Sequence, residues 1–333
     1  MYRSDVKQIL ALLRKRLVGS TFVLLIVVVG CFLMLETAPG DAVDAYAVTL
    51  GGDAAQMAEM RARWGLDQSA WHRLGAYLVV LVQGDLGWSV SFNRPILSII
   101  TERLPNTLLL MGAATALSFA AGSVLGIVAG ARPGSFRDRF LSVTSLVLYA
   151  IPGFWLALVL VILFSIRLRW LPSSGIETIA SGKQGLVRAG DVARHLVLPV
   201  VSLSIIYLAL YLRVMRAAMA DIWRMDFVRA LRARGISRSR IALRHVARNA
   251  LLPLVTMLGL QAASMLGGSV VIESVFAVPG LGRLAQEAVA ARDTPLLLGV
   301  ILTSAVMVIV VNFLMDLLYL WLDPRIATEG DKA

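Results

Sequence analysis

The chain has 333 residues, of which 58% are hydrophobic and 16% charged, and its mean hydropathy is +0.77. A soluble domain carries about 25% charged residues, so this composition excludes an ordinary soluble protein. The net charge of +11 does not indicate nucleic-acid binding, because the basic residues cluster in short segments between apolar runs, where membrane topology places them.

Apolar runs along the chain predict about six transmembrane helices, since roughly 20 residues in a helix cross the hydrocarbon core. In chain order we predict spans at Leu17–Leu35, Asn106–Gly130, Phe140–Ile166, His195–Leu212, Leu251–Ile272 and Pro295–Leu322. The first span is interpreted as an uncleaved anchor rather than a signal peptide, because its apolar stretch is long and no small-residue cleavage site follows closely.

Small residues and prolines mark how the spans pack and bend. Gly122, Gly126 and Gly130 recur every four residues in the second span, a spacing that lets helix backbones approach closely in lipid. We interpret this face as helix packing rather than a pore lining. Pro152-Gly153 in the third span and Pro199 in the fourth predict kinks.

Lysine and arginine counts set the orientation. The segments 1–16, 132–139, 213–250 and 323–333 hold 20 of the 32 basic residues, although the segments on the opposite side are longer in total. The positive-inside rule therefore predicts that both termini are cytoplasmic. The outer segment 167–194 is locally basic and departs from this pattern.

The inner segment 213–250 carries the strongest functional signal. Phe227, Ala230 and Leu231 recur at helical spacing and predict one apolar face on a short helix. Gly235 follows where a helix needs a left-handed residue to end, and Ser237 is placed to cap a second amphipathic helix toward Pro253. Two short helices around a glycine corner would either lie on anionic lipid or dock into a partner protein, and the residues alone leave both open.

This segment resembles the EAA signature of binding-protein-dependent ABC importers, in the version found in permeases of the dipeptide, oligopeptide and nickel family. The residues that match are Asp226-Phe227-Val228-Arg229, Arg232-Ala233-Arg234-Gly235, His245 and Arg248-Asn249-Ala250-Leu251-Leu252-Pro253. Leu231 stands where alanine is usual and Arg234 where lysine is usual, and both replacements preserve helix propensity.

Further motifs extend the resemblance over nearly the whole chain. They are Ala38-Pro39-Gly40-Asp41, Gly65-Leu66-Asp67, Gln83-Gly84-Asp85-Leu86-Gly87-Trp88-Ser89, Glu102-Arg103-Leu104-Pro105-Asn106-Thr107, Glu273-Ser274-Val275-Phe276, Pro279-Gly280-Leu281-Gly282, Arg292-Asp293 and Asp323-Pro324-Arg325. Ala42 replaces the proline that usually follows the first of them.

The resemblance implies an all-α membrane protein with the type I ABC importer permease fold, in the bacterial cytoplasmic (inner) membrane. Residues 1–105 would form an anchor helix and a large periplasmic loop, which is typical of the first permease of a heterodimer. Residues 106–325 would form the permease core, with the coupling loop at 213–250, and residues 326–333 a cytoplasmic tail.

The same resemblance implies partners and site residues. The partners would be a second homologous permease subunit, two ATP-binding subunits and a periplasmic or lipid-anchored solute-binding protein. ATP and Mg would bind to the ATP-binding subunits, and this chain would have no cofactor, metal or catalytic residue of its own. The implied ATPase-coupling residues are Asp226, Phe227, Arg229, Ala230, Leu231, Arg232, Arg234 and Gly235, with Phe227 and Leu231 as the apolar anchor. A candidate outer gate comprises Glu273, Phe276, Pro279, Gly280 and Gly282.

The outer loop 36–105 is a candidate docking surface for the solute-binding protein. It holds 5 basic and 8 acidic residues, a balance opposite to that of the inner loops. Its aromatic residues predict either a folded cap or anchors at the membrane interface. They are Trp64, Trp71, Tyr77 and Trp88.

Two absences bear on the energy source. None of the four lysines follows the Gly-x-x-x-x-Gly pattern and precedes Ser or Thr, so the chain has no P-loop. The predicted spans are almost free of ionisable groups, Asp316 being the clearest, which argues against an ion-driven carrier. A membrane scaffold or channel is a second competing function, and an enzyme is a third. The solute is left open between dipeptides, oligopeptides, a nickel complex and glutathione, with peptides as the default.

Overall fold

The structure is a computed structural model that describes residues 2–37, 43, 54–63, 67–180 and 182–322. Its helices are α1 (Tyr2–Glu36), α2 (Ala54–Arg63), α3 (Ala70–Val82), α4 (Ile96–Gly130), α5 (Phe136–Ala150), α6 (Gly153–Arg167), α7 (Gly185–Ile222), α8 (Asp226–Ala233), α9 (Arg238–Val275), α10 (Leu281–Ala290) and α11 (Thr294–Leu322). Strands β1 (Trp88–Ser89) and β2 (Arg94–Pro95) form an antiparallel hairpin in which Trp88 pairs with Pro95.

Some of the sequence motifs lie outside the described residues. These are Ala38-Pro39-Gly40-Asp41, Trp64, Gly65-Leu66, Asp323-Pro324-Arg325 and the predicted tail 326–333.

The prediction of an all-α membrane protein is confirmed. Among the described residues, five helices are long and apolar enough to cross a membrane, and a bent pair would make a sixth span. The bent pair is α5 and α6, which meet at an angle of 99°. A count of about six spans therefore agrees with the structure.

The break between α5 and α6 occurs where Pro152-Gly153 predicts a kink, but it is sharper than a kink. Proline disfavours helical backbone at the residue before it, and Ile151 is extended, with φ −76° and ψ 128°. Pro152 then becomes the N-cap of α6. The third predicted span is therefore two helices rather than one bent helix.

Three helices extend well beyond the spans that the sequence predicts. Helix α4 begins ten residues earlier than Asn106, at Ile96. Helix α7 has 38 residues and continues through Pro199 on to Ile222. Helix α9 also has 38 residues and begins within the inner segment rather than near Leu251. Hydropathy reports only the apolar part of each helix, so the polar ends were missed.

The chain divides into two compact units. The first comprises residues 1–105 and 283–333. In it, α1, α3 and α11 pack through the buried side chains of Phe32, Leu74 and Leu298. An ion pair between Arg73 and Glu36 also joins α3 to α1.

The second unit comprises residues 106–282 and contains the glycine face of α4. A Cβ atom added to Gly126 would lie 2.5 Å from Met215 Cβ and 2.9 Å from the Leu212 carbonyl oxygen. Gly122 and Gly130 meet Tyr211 and Met219 of α7 just as closely. The predicted small-residue face is therefore a helix-packing surface, and its partner is α7.

Polar contacts also fasten α7 to α5 in this second unit. Arg216 of α7 pairs with Asp138, whose side chain is buried and also accepts a hydrogen bond from Gly134 N at 2.8 Å. Three residues earlier, the Arg213 guanidinium lies 4.4 Å from the ring centroid of Tyr149. Two arginines that count as basic loop residues in the sequence thus hold helices together.

Candidate functional site

Helix α8 ends at Gly235 in the way that the sequence predicts. Gly235 has φ +73°, in the left-handed region. Its N–H donates to Arg232 O at 2.9 Å, and the Ile236 N–H donates to Leu231 O at 3.2 Å. This pair of bonds is a Schellman motif, and the apolar residues that flank it, Leu231 and Ile236, pack against the same cluster. The glycine corner is confirmed.

The apolar face of α8 is turned differently from the prediction. Val228 is fully buried and Leu231 packs partly buried against the same cluster. Phe227 is 39% exposed and Ala230 is also exposed. Residues 228 and 231 are three apart and share one side of the helix, so Leu231 belongs mainly to the inner face, where it is partly buried.

The outward side of α8 combines apolar and charged groups. Met225 and Phe227 are exposed there, and Asp226 pairs with Arg229 at 3.2 Å on the surface. Arg234 is exposed at the end of the helix. We call Met225, Asp226, Phe227, Arg229, Ala230 and Arg234 the outer face of α8.

The second predicted short helix does not exist as a separate element. Ser237 has the extended backbone of an N-cap, but its side chain makes no capping hydrogen bond. The helix that follows runs from Arg238 through a π-helical turn at Ile241–Val246 into the apolar span. Pro253 lies inside this helix rather than at its end. The corner is therefore one short helix joined directly to a membrane helix.

Sequence reasoning missed Trp223, which lies just before α8. Its side chain is 8% exposed, and its Nε1–H donates to Gly130 O at 2.8 Å. Arg232 and Arg238 lie over its ring, with their guanidinium carbons 5.1 and 5.5 Å from the centroid. Arg232, predicted to face a partner, thus contacts this chain. The available signal was a lone tryptophan in an arginine-rich segment, a combination that favours cation–π contacts.

The candidate gate residues come together around a buried carboxylate. Glu273 is fully buried and its Oε1 accepts from Thr107 Oγ1 at 2.8 Å, while Thr107 Oγ1 accepts from Leu281 N at 2.8 Å. A Cβ atom on Gly280 would lie 2.4 Å from the Glu273 carboxyl carbon, so glycine is required for this approach. A Cβ on Gly282 would lie 2.5 Å from Val270 Cα.

The backbone around this carboxylate is also fixed. Val278 N donates to Glu273 O at 2.8 Å, and Asn106 Nδ2 donates to Pro279 O at 2.8 Å. Phe276 is 1% exposed, and its carbonyl accepts from Gly175 N at 2.8 Å. The sequence singled out Glu273 and the glycines, but not Thr107 as the hydroxyl that links them.

Asp293, just before α11 in the first unit, is another buried carboxylate. Asp293 Oδ2 accepts from Ser89 Oγ at 2.6 Å, Ser91 Oγ at 2.7 Å and Ser91 N at 2.9 Å. Its Oδ1 accepts from Leu296 N at 3.1 Å, at the start of α11. Asp293 therefore holds the β1–β2 hairpin, from which Trp88 extends with 55% exposure.

The basic segment 167–194, which is predicted to lie outside, contains its own ion pairs. Asp191 accepts from Lys183 Nζ at 2.6 Å and from Thr178 N at 2.7 Å. The side-chain hydrogen bond from Arg188 lowers the pKa of Glu177 below its ordinary value. Two of the five basic residues in this segment, Lys183 and Arg188, are thus paired locally with carboxylates.

Among the described residues, no group of three or more His, Cys, Asp or Glu side chains is arranged to hold a metal ion.

The chain is similar in sequence to a described protein family and to several known proteins. Residues 122–328 match the family described as binding-protein-dependent transport system inner membrane component. A putative peptide permease protein of Brucella ovis is 39% identical over 313 residues, which cover 93% of this chain and 97% of that protein. The oligopeptide transport system permease protein AppB of Bacillus subtilis is 36% identical over 94% of this chain and 98% of its own length.

Two further comparisons concern a peptide permease and the fold. The di/tripeptide transport system permease protein DppB of Pseudomonas aeruginosa is 36% identical over 89% of this chain and 92% of its own length. A chain of the MetNI methionine ABC transporter in an inward-facing conformation superposes with a TM-score of 0.51 and 18% identity, covering 70% of this chain and 97% of that one. The fold is thus that of an ABC importer permease, and the chain belongs to the family of binding-protein-dependent transport system inner membrane components.

Proposed function

We propose that this chain is the permease subunit of an importer that carries dipeptides or oligopeptides across the cytoplasmic membrane. The observation that carries the choice of solute is the identity of 35–39% to proteins named as peptide permeases, over nearly their whole length. Nickel complexes and glutathione are the other solutes that the resemblance admits. The remaining subunits are a second permease, two ATP-binding subunits and a solute-binding protein.

A reconstituted complex tests this function. Proteoliposomes containing the permeases and ATP-binding subunits, with the binding protein outside, should accumulate labelled trialanine only when ATP is enclosed. Vanadate should stop uptake and a protonophore should not. Uptake that needs a proton gradient but no ATP would instead establish the ion-driven carrier. Trialanine exclusion together with uptake of nickel or glutathione would contradict the peptide assignment alone.

The outer face of α8 is proposed as the contact with an ATP-binding subunit. Exposed Met225 and Phe227 supply apolar area beside Arg229 and Arg234, a combination that suits a groove with an acidic rim. Leu231 and Arg232 are left out of the proposed contact because both also contact other residues of this chain. ATP-driven closure of the ATP-binding subunits would then move α8, and with it the membrane helices.

Replacement of Phe227 distinguishes a contact of α8 with the ATP-binding subunit from binding of α8 to lipid. Phe227→Ser should weaken co-purification of the ATP-binding subunit and lower uptake, because it removes an exposed apolar group at the contact. Phe136→Ser is the matched control, since Phe136 is 82% exposed in another predicted inner segment. Equal retention of the ATP-binding subunit by both variants would contradict the contact and favour a lipid-resting role for α8.

The outer elements are proposed to serve the solute-binding protein and the pathway. Helices α2 and α3 and the hairpin would form the docking cap, with Trp71 and Trp88 exposed on it. The Glu273 cluster would close the pathway on the outside. Deletion of residues 50–90 should abolish docking of the binding protein, and intact docking would remove the cap from this proposal.

A further inference from the structure

Trp223 lies where three elements of the second unit meet. It immediately follows α7, precedes α8, and its indole reaches the last residue of α4. The final carbonyls of a helix have no partner within that helix, and Gly130 O of α4 accepts from the indole at 2.8 Å. The indole therefore completes the end of α4 as well as filling space.

The same ring also contacts both sides of the glycine corner. Arg232 precedes Gly235 and Arg238 follows it, and both guanidinium groups lie within 5.5 Å of the ring centroid. Tryptophan is the side chain that combines a donor N–H with the strongest π face for a cation. One residue thus connects α8 and the start of α9 to the end of α4.

Close packing leaves this junction little freedom to slip. A Cβ on Gly130 would lie 2.8 Å from Met219 Cβ, so the α4 backbone packs directly against the Met219 side chain of α7 beside the indole. Val228, Ile241 and Val246 are fully buried in the cluster that contains Trp223. Packed interfaces of this kind move as bodies rather than deforming continuously.

We propose that Trp223 is a positioning residue that transmits movement of α8 to the cytoplasmic end of α4. The inference rests on the proposed contact between α8 and an ATP-binding subunit. The indole hydrogen bond to Gly130 O carries the displacement, and the two arginines keep the ring aligned with the corner.

Spin labels at two exposed positions test the transmission without any solute. In a Cys31→Ser background, Ala233→Cys reports on α8 and Arg132→Cys on the end of α4, and the assembled complex is compared with and without ATP and vanadate. The unaltered junction should respond at both positions. Trp223→Phe keeps a ring but loses the N–H, so the label at 233 should still respond while the label at 132 should not.

The ratio of trialanine carried to ATP hydrolysed provides a second measurement, which misfolding alone would not change. Trp223→Phe should lower the number of trialanine molecules carried per ATP hydrolysed roughly fivefold, the scale set by losing one buried hydrogen bond. Partial misassembly would lower uptake and hydrolysis together and leave this ratio intact. Trp155→Phe is the matched control, since Trp155 is 50% exposed on α6, and it should leave the ratio unchanged.

The outcomes distinguish this inference from the proposed function. If ATP leaves the label at 233 silent in the unaltered junction, the proposed contact fails. If both labels respond in Trp223→Phe, with the ratio unchanged, only the role of Trp223 is overturned. If Trp223→Phe does not assemble, Arg238→Gln replaces it as the test variant, and Arg240→Gln, at another exposed arginine, is the control. If only Arg238→Gln lowers the number of trialanine molecules carried per ATP hydrolysed, the role of Trp223 is supported. If the two variants give equal numbers, that role is overturned.

Discussion

Gly235 shows how one backbone angle determines the shape of the glycine corner between α8 and α9. At φ +73° a residue with a Cβ atom has a conformational cost, yet no atom lies within 4 Å of where that Cβ would be. The demand for glycine is therefore conformational and not steric. Residues that tolerate left-handed backbone should therefore replace Gly235 better than residues that do not, whatever their size.

This gives the first prediction. Gly235→Val should reduce uptake severely, because a β-branched residue strongly disfavours this conformation, whereas Gly235→Asn should retain most of it. The cost of a non-glycine residue here is about 1–2 kcal/mol. Uptake and co-purification of the ATP-binding subunit measure the effect. Equal loss in both variants would mean that the side-chain volume matters and the angle does not.

Glu273 depends on glycine for the opposite reason. Gly280 lies so close that a Cβ would be 2.4 Å from the carboxyl carbon, so the demand here is steric. The carboxylate is also engaged by Thr107, which links it to the backbone at Leu281. Glu273, Thr107 and Gly280 should therefore behave as one coupled set.

A double-mutant cycle tests that coupling as the second prediction. Gly280→Ala should lower the thermal unfolding midpoint of the purified permease, because its methyl group cannot fit beside the carboxylate. In a Glu273→Ala background the same change should cost less by about 1 kcal/mol or more, as expected for residues in contact. Gly267→Ala, which has open space around it, is the control. Additive costs would contradict the arrangement.

At the scale of helices, α4 and α7 are joined by a repeat of small residues. Gly122, Gly126 and Gly130 each bring the α4 backbone against a side chain of α7. Apolar side chains gain no hydrophobic advantage from association within lipid, so this close backbone approach and its dispersion contacts stabilise the pair. The ion pair of Arg216 with Asp138 adds a polar contact between α7 and α5.

The third prediction compares two glycines of the same helix. Gly126→Ala should destabilise the permease by about 1–3 kcal/mol, because the added methyl would meet the Leu212 carbonyl oxygen, which is backbone and cannot turn away. Gly112→Ala, exposed and with nothing within 4 Å, should be neutral or slightly stabilising. Thermal unfolding in detergent measures both. Equal stability of the two variants would contradict the close approach.

The Arg216 pair supports a fourth prediction at this scale. Arg216→Met should destabilise the permease, since it leaves the buried Asp138 carboxylate without its cation. Adding Asp138→Asn should recover part of the loss, because the remaining group is then neutral. Unfolding midpoints of the two single variants and the double variant measure this. A double variant less stable than Arg216→Met would argue against the pair.

For the whole molecule, the arrangement of charge predicts the orientation in the membrane. The segments predicted to be inside carry 20 basic residues against 12 outside. Several of the outer ones are neutralised locally, as Arg188 is by Glu177 and Lys183 by Asp191. The larger number of basic residues in the inner segments therefore predicts cytoplasmic termini, even with the basic segment 167–194 outside.

Cysteine labelling tests this orientation as the fifth prediction. The chain has a single cysteine, so Cys31→Ser gives a clean background. Ile179→Cys, at a site 92% exposed, should react with an impermeant maleimide in intact spheroplasts. Leu243→Cys, at a site 64% exposed, should react only after permeabilisation. The reverse pattern would place both termini outside.

The sequence by itself determined the class, the family and the glycine corner. Hydrophobic runs are read along the chain, so they reveal spans wherever the helices pack, and Gly235 follows from a helix-ending rule that involves only neighbouring residues. The proline at 152 likewise marked the break before α6. Each of these features depends on local sequence, and therefore needed no knowledge of which elements meet.

Only the tertiary structure decided which way the side chains of the corner face. Leu231 and Phe227 are both apolar residues. In the structure Leu231 packs inward and Phe227 lies exposed, because the packing of Trp223 and Val228 in the core cluster fixes the rotation of α8. Thr107 is linked to Glu273 across 166 positions of sequence. Such choices depend on packing between distant segments, and a pattern along one chain does not carry that information.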